Sequence, residues 1–304
     1  MKRILFISST RIGDCILSTG LYRHLAQREP GVRITVACGP LGAPVFRAAP
    51  NLERTVVVAK SPTGHRGHWL KLWREVAGTR WDLVVDLRGS GLAYLLRAKE
   101  RRLFRGETRD PVHKVVELGR VLGLTPPPDP VFWLDDKARA DAAALLGDDP
   151  RPLLAVAPAA AVPVKAWAPL RSAELADRLS GPGGALEGAR VLVLGGPGDA
   201  SAATPLLERL GPGRTVDAVG RLDMPAAAAA VARAKLYVGA DSGLGHAAAA
   251  VGAPTLSLFG PTDERRYAPW GPRVQVVRGG DDMACLDVEA AYRAAEALLA
   301  RSWA

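Results

Sequence analysis

Apolar and polar positions along the chain form short continuous apolar runs that alternate with longer stretches of helical spacing, almost from end to end. ILFIS (4–8), RITVAC (33–38), TVVVA (55–59) and DLVVDL (82–87) predict strands buried on both faces, because apolar residues follow one another without polar alternation. Helical spacing predicts helices near 14–28, 67–78, 91–100 and 112–123. After the proline-rich LTPPPDP (124–130) the pattern resumes with strands LLAVAP (153–158), RVLVLGG (190–196), KLYVGA (235–240) and TLSLFG (255–260). Helices follow near 170–180, 200–210, 223–234 and 243–251, and a long amphipathic helix over 288–303 closes the chain. The alternation predicts an α/β protein of two halves, each a parallel sheet covered on both faces. Their boundary falls in the weakly patterned zone 135–152, which divides the chain into 1–148 and 149–304.

Composition narrows the partners more than the fold. The 304 residues suffice for two domains, and 48% hydrophobic with 23% charged residues is the profile of a globular protein. The formal charge of +9 points to an anionic partner, and it is concentrated: residues 60–120 hold 14 Lys/Arg against 7 Asp/Glu. A solvated basic face is the plain alternative. No recognised motif or aromatic-basic platform accompanies the charge, so nucleic acid is not the expected partner. Cys15, Cys38 and Cys285 form neither a CxxC pair nor a disulfide framework, which fits a reducing compartment. The opening apolar run is too short for a signal peptide and no run reaches membrane-spanning length, so a soluble, cytoplasmic protein is expected.

Ligands on open α/β sheets lie beyond the carboxyl ends of the strands, so the loops directly after each strand are where chemistry is sought. The first carries Gly13 alone where a dinucleotide-binding turn would show G-x-G-x-x-G. Asp14 in that loop serves equally well as a helix cap or as a general base. Lys165, in the loop after 153–158, is placed to neutralise a phosphate, although a lone loop lysine is more often merely solvated. Gly195-Gly196-Pro197-Gly198-Asp199 leaves room for a ligand's close approach, or simply makes a tight turn. Asp241-Ser242-Gly243-Leu244-Gly245-His246 opens a helix whose free N–H groups attract an anion. Taken singly, Asp241 or Ser242 reads as a cap and His246 as a core residue; their density favours an anion site. Gly260-Pro261-Thr262-Asp263 adds a polar loop after the next strand. No D-x-D pair occurs, and the five histidines lack metal-ligand spacing.

DSGLGHAAAAVGAPTLSLFGPTD (241–263) closely resembles the signature of the heptosyltransferase-like glycosyltransferases, glycosyltransferase family 9. RIGD (11–14), DLRGSG (86–91), KAW (165–167) and YAPWGP (267–272) resemble further family motifs in the right order. The resemblance implies a GT-B fold, two Rossmann-like domains with parallel sheets facing an interdomain cleft. It assigns acceptor binding to the first domain and donor binding to the second, with the last helix (about 287–303) crossing back to the first. It implies an inverting, metal-independent transferase without cofactor, moving heptose from ADP-heptose onto a lipopolysaccharide-core or related anionic glycolipid, in peripheral contact with the inner face of the inner membrane. Asp14 matches the family's catalytic base. Lys165, Gly195, Gly196, Asp217, Asp241, Ser242, Gly243, His246 and Thr262 match or line its donor site. Arg11, Arg66, Lys71, Arg88 and Arg97 are expected to meet the acceptor, while Trp69 and Trp73 are expected in the core of an amphipathic helix before any sugar or membrane contact.

The chain departs from the family pattern at Pro158-Ala159-Ala160-Ala161, usually P-G-A-S, and at Ala168 between Trp167 and Pro169. These departures bear on the acceptor and the donor sugar rather than on the fold. A nucleotide-sugar 2-epimerase and a non-catalytic nucleotide-sugar or glycolipid binder of the same architecture are the competing readings.

Overall fold

The computed structural model describes residues 1–59, 67–106 and 112–301, so Arg66 lies outside the described residues. Contacts divide the chain into two units, Met1–Trp133 and Leu134–Ala304. In the first unit, strands β1 (Arg3–Ile7), β2 (Arg33–Cys38), β3 (Leu52–Val57), β4 (Trp81–Asp86) and β5 (Ala98–Leu103) form a sheet in the order β3-β2-β1-β4-β5. Every pairing is parallel; Ile4 lies opposite both Ile34 and Leu83. The central β1 and β2 are buried beyond their first residue, as their unbroken apolar runs require. Helices α1 (Ile12–Leu17), α2 (Thr19–Arg28), α3 (Gly67–Val76) and α4 (Lys114–Gly119) accompany them.

Two local expectations change. The helix predicted over 14–28 breaks at Ser18, where Ser18 Oγ donates to the Cys15 carbonyl at 2.7 Å and Thr19 Oγ1 to that of Ile16 at 2.6 Å. Such hydroxyl back-bonding competes with the helical ladder. The helix predicted over 91–100 is a single turn, Leu92–Leu95, followed by β5. AKERRL hides its strand character because β5 is an edge with one solvent face, where charge guards against further pairing.

The second unit holds β6 (Leu153–Ala157), β7 (Arg190–Val193), β8 (Thr215–Asp217), β9 (Leu236–Ala240), β10 (Thr255–Phe259) and β11 (Val274–Arg278) in the order β11-β10-β9-β6-β7-β8, again all parallel. Its helices are α5 (Asp136–Leu146), α6 (Pro169–Ser180), α7 (Ala200–Leu210), α8 (Met224–Val231), α9 (Gly243–Ala250), α10 (Glu264–Tyr267) and α11 (Val288–Leu299). The flanking strands β8 and β11 escape the sequence pattern because one is three residues long and the other only half-buried. The strand order reverses direction between β1 and β4 and again between β6 and β9, and loops leaving such neighbours in opposite directions open a crevice at the carboxyl edge.

The unit boundary falls before α5, earlier than the expected 148/149. Ala138, Ala142 and Leu146 of α5 share a core with Leu153 and Ala155 of β6, so that helix belongs to the second unit. The preceding strap belongs to the first. Thr19 Oγ1 accepts from Val131 N at 2.9 Å, Arg23 donates to the Asp129 carbonyl at 3.0 Å, and Tyr22 meets Trp133 edge-on at 5.3 Å. Helix α11, expected to cross back to the first domain, buries Val288, Ala291, Ala295 and Leu298 in the core shared with α6, β10 and the rest of the second unit.

The strap lies flush on α2 because position 20 has no side chain: a Cβ there would stand 2.2 Å from the Pro128 carbonyl oxygen. Gly20→Ala should therefore destabilise the protein by about 1–3 kcal/mol, the usual cost of forcing atoms into a packed contact. Urea unfolding measures it; an unchanged midpoint would show that the strap yields freely.

Candidate functional site

The site in the second unit is built at the β6/β9 reversal. After β6 the chain runs through Pro158–Ala161 into a short turn, Pro163–Lys165, and is pinned just beyond it. Trp167 is 2% exposed and its indole N–H donates to the Leu286 carbonyl at 2.9 Å, while Pro169 begins α6. Lys165 is held two residues before that anchor. Its Nζ donates to Asp241 Oδ2 at 2.5 Å, with side-chain exposures of 30% and 9%. This ion pair joins the loops that leave the two central strands.

Asp241 leads into α9, whose N-cap Ser242 is extended, with φ −149° and ψ 164°. Neither side chain caps the helix, which sets aside that reading of Asp241 and Ser242. Helices α5, α8 and α11, by contrast, are capped by Asp135, Asp223 and Asp287. The first turn of α9, Gly243-Leu244-Gly245, thus presents its N–H groups without a side-chain acceptor, at the positive end of the helix dipole. The Ser242 hydroxyl is buried against the Tyr237 phenol, the two oxygens facing one another inside the protein. Burial pushes the Tyr237 phenol up. Its ring runs under the loop where Gly239 leaves space; a Cβ on Gly239 would stand 2.4 Å from the phenolic oxygen. A tyrosine in a buried strand gives no separate signal in the sequence, so Tyr237 is not marked there. His246, one turn into α9, is 6% exposed, as its core reading expects.

The other donor candidates line the same carboxyl edge less directly. Gly196 N–H donates to Asp199 Oδ2 at 2.7 Å, and a Cβ on Gly195 would lie 2.9 Å from the Asp199 Cβ, so these glycines close a tight turn into α7. The Gly195 carbonyl accepts from Gly220 N at 2.9 Å, bringing that turn beside the end of β8. There Asp217 is exposed and accepts from Val219 N at 3.0 Å. Thr262 is half-buried after β10, just ahead of Asp263, which caps α10.

The first unit presents Asp14 at its own reversal. Asp14 stands in the first turn of α1 and does not cap it; the position before the helix is the exposed Arg11. Its Oδ2 accepts from Ser9 Oγ at 3.1 Å, while Ser9 Oγ also accepts from Arg11 N at 3.2 Å. The partly buried carboxylate is therefore oriented by a hydroxyl rather than by a cation. After β4, the fully buried Asp86 accepts from the N–H groups of Arg88 and Ser90, both at 2.9 Å, and from Ser90 Oγ at 2.7 Å. This folds DLRGSG back on itself and presents Arg88, whose guanidinium lies 4.7 Å from the Trp69 ring centroid. Burial pulls the Arg88 pKa down against the raising effect of Asp86. Asp86 opens the DLRGSG motif and orders its loop, whereas no sequence signal marks Ser9, which orients Asp14.

Two acceptor candidates sit elsewhere. Lys71 is exposed on α3. Arg97 precedes β5 at the amino edge, its carbonyl bound by Trp81 N at 2.9 Å. A six-residue strand places it about 20 Å from the carboxyl edge that carries Asp14 and Arg88.

Beside Asp14, burial pushes the Cys15 thiol up to about 11, and Cys38 is raised by the same cause. The exposed Cys285 should be the one thiol that reacts quickly with Ellman's reagent in the native protein at mildly alkaline pH, and Cys285→Ser should abolish that phase. A second fast thiol would contradict the burial of Cys15 and Cys38. Since Cys15 keeps its proton to about 11 when folded but loses it near the ordinary 9.0 when unfolded, its contribution to stability falls as pH rises through that window.

The chain resembles known proteins in both sequence and fold. Residues 111–295 match the family described as Glycosyltransferase family 9 (heptosyltransferase). Lipopolysaccharide heptosyltransferase 2 of Salmonella typhimurium LT2 is 25% identical over 313 residues, covering 91% of this chain and 88% of that protein. Among solved structures, a glycosyltransferase family 9 protein from Veillonella parvula superposes with a TM-score of 0.84 at 23% identity, over 99% of this chain and 98% of that one. Escherichia coli ADP-heptose lps heptosyltransferase II gives 0.79 at 23% identity, over 98% of both chains. With two Rossmann-like parallel-sheet units of the GT-B class and a family match over more than half its length, the chain belongs to glycosyltransferase family 9.

Proposed function

We propose that the protein transfers heptose from ADP-heptose, with inversion, onto a lipopolysaccharide-core or related anionic glycolipid. The observation that carries this reading is the Lys165–Asp241 pair beside the uncapped start of α9 at the β6/β9 reversal. A diphosphate fits that place: the N–H groups of Gly243-Leu244-Gly245 accept its charge, and Lys165, already positioned by Asp241, turns its ammonium toward the phosphates. Asp217, exposed at the end of β8, suits the hydroxyls of the nucleotide ribose.

The chemistry follows from charge. Asp14 takes the proton from an acceptor hydroxyl as that oxygen attacks the anomeric carbon, and ADP leaves from the opposite face. The negative charge growing on the leaving diphosphate meets Lys165 and the α9 N–H groups, donors fixed before the reaction begins. Ser9 aims the Asp14 carboxylate, and Arg11 and Arg88 meet the anionic acceptor at the same sheet edge. Family membership favours transfer over epimerisation, and leaving-group stabilisation by protein cations makes transfer independent of added divalent ions.

Replacing the base tests the assignment. Asp14→Asn should lower kcat by roughly 10²–10⁴-fold, the range of general-base catalysis, with ADP affinity unchanged. Turnover with ADP-heptose and a deep-core-truncated lipopolysaccharide reads it out; a wild-type kcat would remove Asp14 as base. The same assay run with EDTA should give unaltered rates, and loss of activity on chelation would overturn the metal-independent mechanism.

A further inference from the structure

Ser242 is expected from sequence to line the donor site, yet its hydroxyl is turned away from solvent. The residue is only half-buried, whereas its Oγ is fully enclosed and faces the phenol of Tyr237. Tyr237 reaches this place along one face of the sheet. In β9 it alternates with Gly239, and Ser257 of β10 stands opposite Gly239, so all three share that face. A Cβ on Gly239 would come within 2.4 Å of the phenolic oxygen and 2.9 Å of the ring carbon that bears it. The missing side chain at position 239 therefore makes the space for the hydroxyl. The core around Tyr237 is otherwise apolar, with Ala155, Ala157, Ala248 and Ala253 among its members. A phenylalanine would fill it as well, and burying a hydroxyl costs free energy unless it is hydrogen-bonded.

We propose that Tyr237 is a positioning residue for the diphosphate site, and that Ser242 serves the site by hydrogen-bonding Tyr237 rather than the donor. Their bond holds the extended backbone of Ser242, and with it the direction of the Gly243, Leu244 and Gly245 N–H groups. Other restraints on this backbone are weak. The Ser242 carbonyl accepts from His246 N at 3.4 Å and Asp241 N donates to the Leu258 carbonyl at 3.2 Å, both at the long end for such bonds. No side chain caps α9 either. The Lys165–Asp241 pair fixes the loop from one side and the phenol fixes it from below, so the donors are aligned before an anion arrives. Burial raises the phenol's pKa, so Tyr237 stays a donor and adds no negative charge beneath a diphosphate. This role rests on the reading of α9 as the place where a diphosphate is held.

Calorimetric titration of ADP into Tyr237→Phe, Ser242→Ala and the double variant tests it. Tyr237→Phe keeps the ring and removes one oxygen, so its Tm should stay near that of wild type. Each single variant should bind ADP roughly fivefold to tenfold more weakly, the worth of one hydrogen bond. The double variant should lose no more than either single one, because the same bond is broken in all three. Adenosine, which has no phosphate to hold, should bind every variant as it binds wild type, read by saturation-transfer NMR. Gly239→Ala gives an independent second route: it keeps both hydroxyls, displaces the phenol, and should weaken ADP to a similar extent. Wild-type ADP affinity in Tyr237→Phe, losses that multiply in the double variant, or an equal loss of adenosine binding would each overturn the proposal. Lys165→Met in the same series separates the two readings. ADP binding that falls in Lys165→Met but not in Tyr237→Phe removes this role and leaves the diphosphate site standing; a wild-type protein that binds no ADP removes both.

Discussion

The Lys165–Asp241 ion pair is the constraint on which the second unit's chemistry depends. Two charges drawn partly out of water must satisfy one another, and removing either strands the other. Their pairing fixes where the loop after β6 meets the loop after β9, at the one place in the sheet where adjacent connections diverge. It also holds Lys165 in the loop next to α9, whose first-turn N–H groups have no capping side chain. Trp167 and Arg171, both hydrogen-bonded to the Leu286 carbonyl, hold the lysine's loop from behind at 2.9 and 2.7 Å. Tyr237 does the same for the α9 loop from beneath, in a space that exists only because Gly239 has no side chain.

The first unit solves a different problem with the same topology. At its sheet edge the Asp14 carboxylate is oriented by a hydroxyl, that of Ser9. The cation at this edge, Arg88, is set by the backbone-bound loop around Asp86 and by stacking on Trp69.

Buried strands and the helices between them were legible in the sequence because burial on both faces leaves a continuous apolar run. What escaped detection lies where burial is partial or set by distant chain. β5 reads as helix because its charges serve an exposed edge, and β11 lacks a run because it is half-buried. The early unit boundary depends on residues 128–133 lying against Gly20, which no local pattern announces. At the site, Asp14, Lys165 and the Asp241–Gly245 cluster were visible as polar residues after apolar runs. Their supports, Ser9 and Tyr237, were not, since each acts through a neighbour. Arg97 misled through composition: charge density along the chain does not say which edge of a sheet a residue occupies.

The central claim is that a nucleotide diphosphate is held at the β6/β9 reversal by Lys165 and the start of α9. Calorimetric titration of ADP into wild type, Lys165→Met and Asp14→Asn tests it most directly. Lys165→Met should weaken ADP binding by roughly tenfold or more, the loss of a charge-assisted contact, while Asp14→Asn should bind as wild type does. Equal affinity in Lys165→Met, with the variant folded, would contradict it.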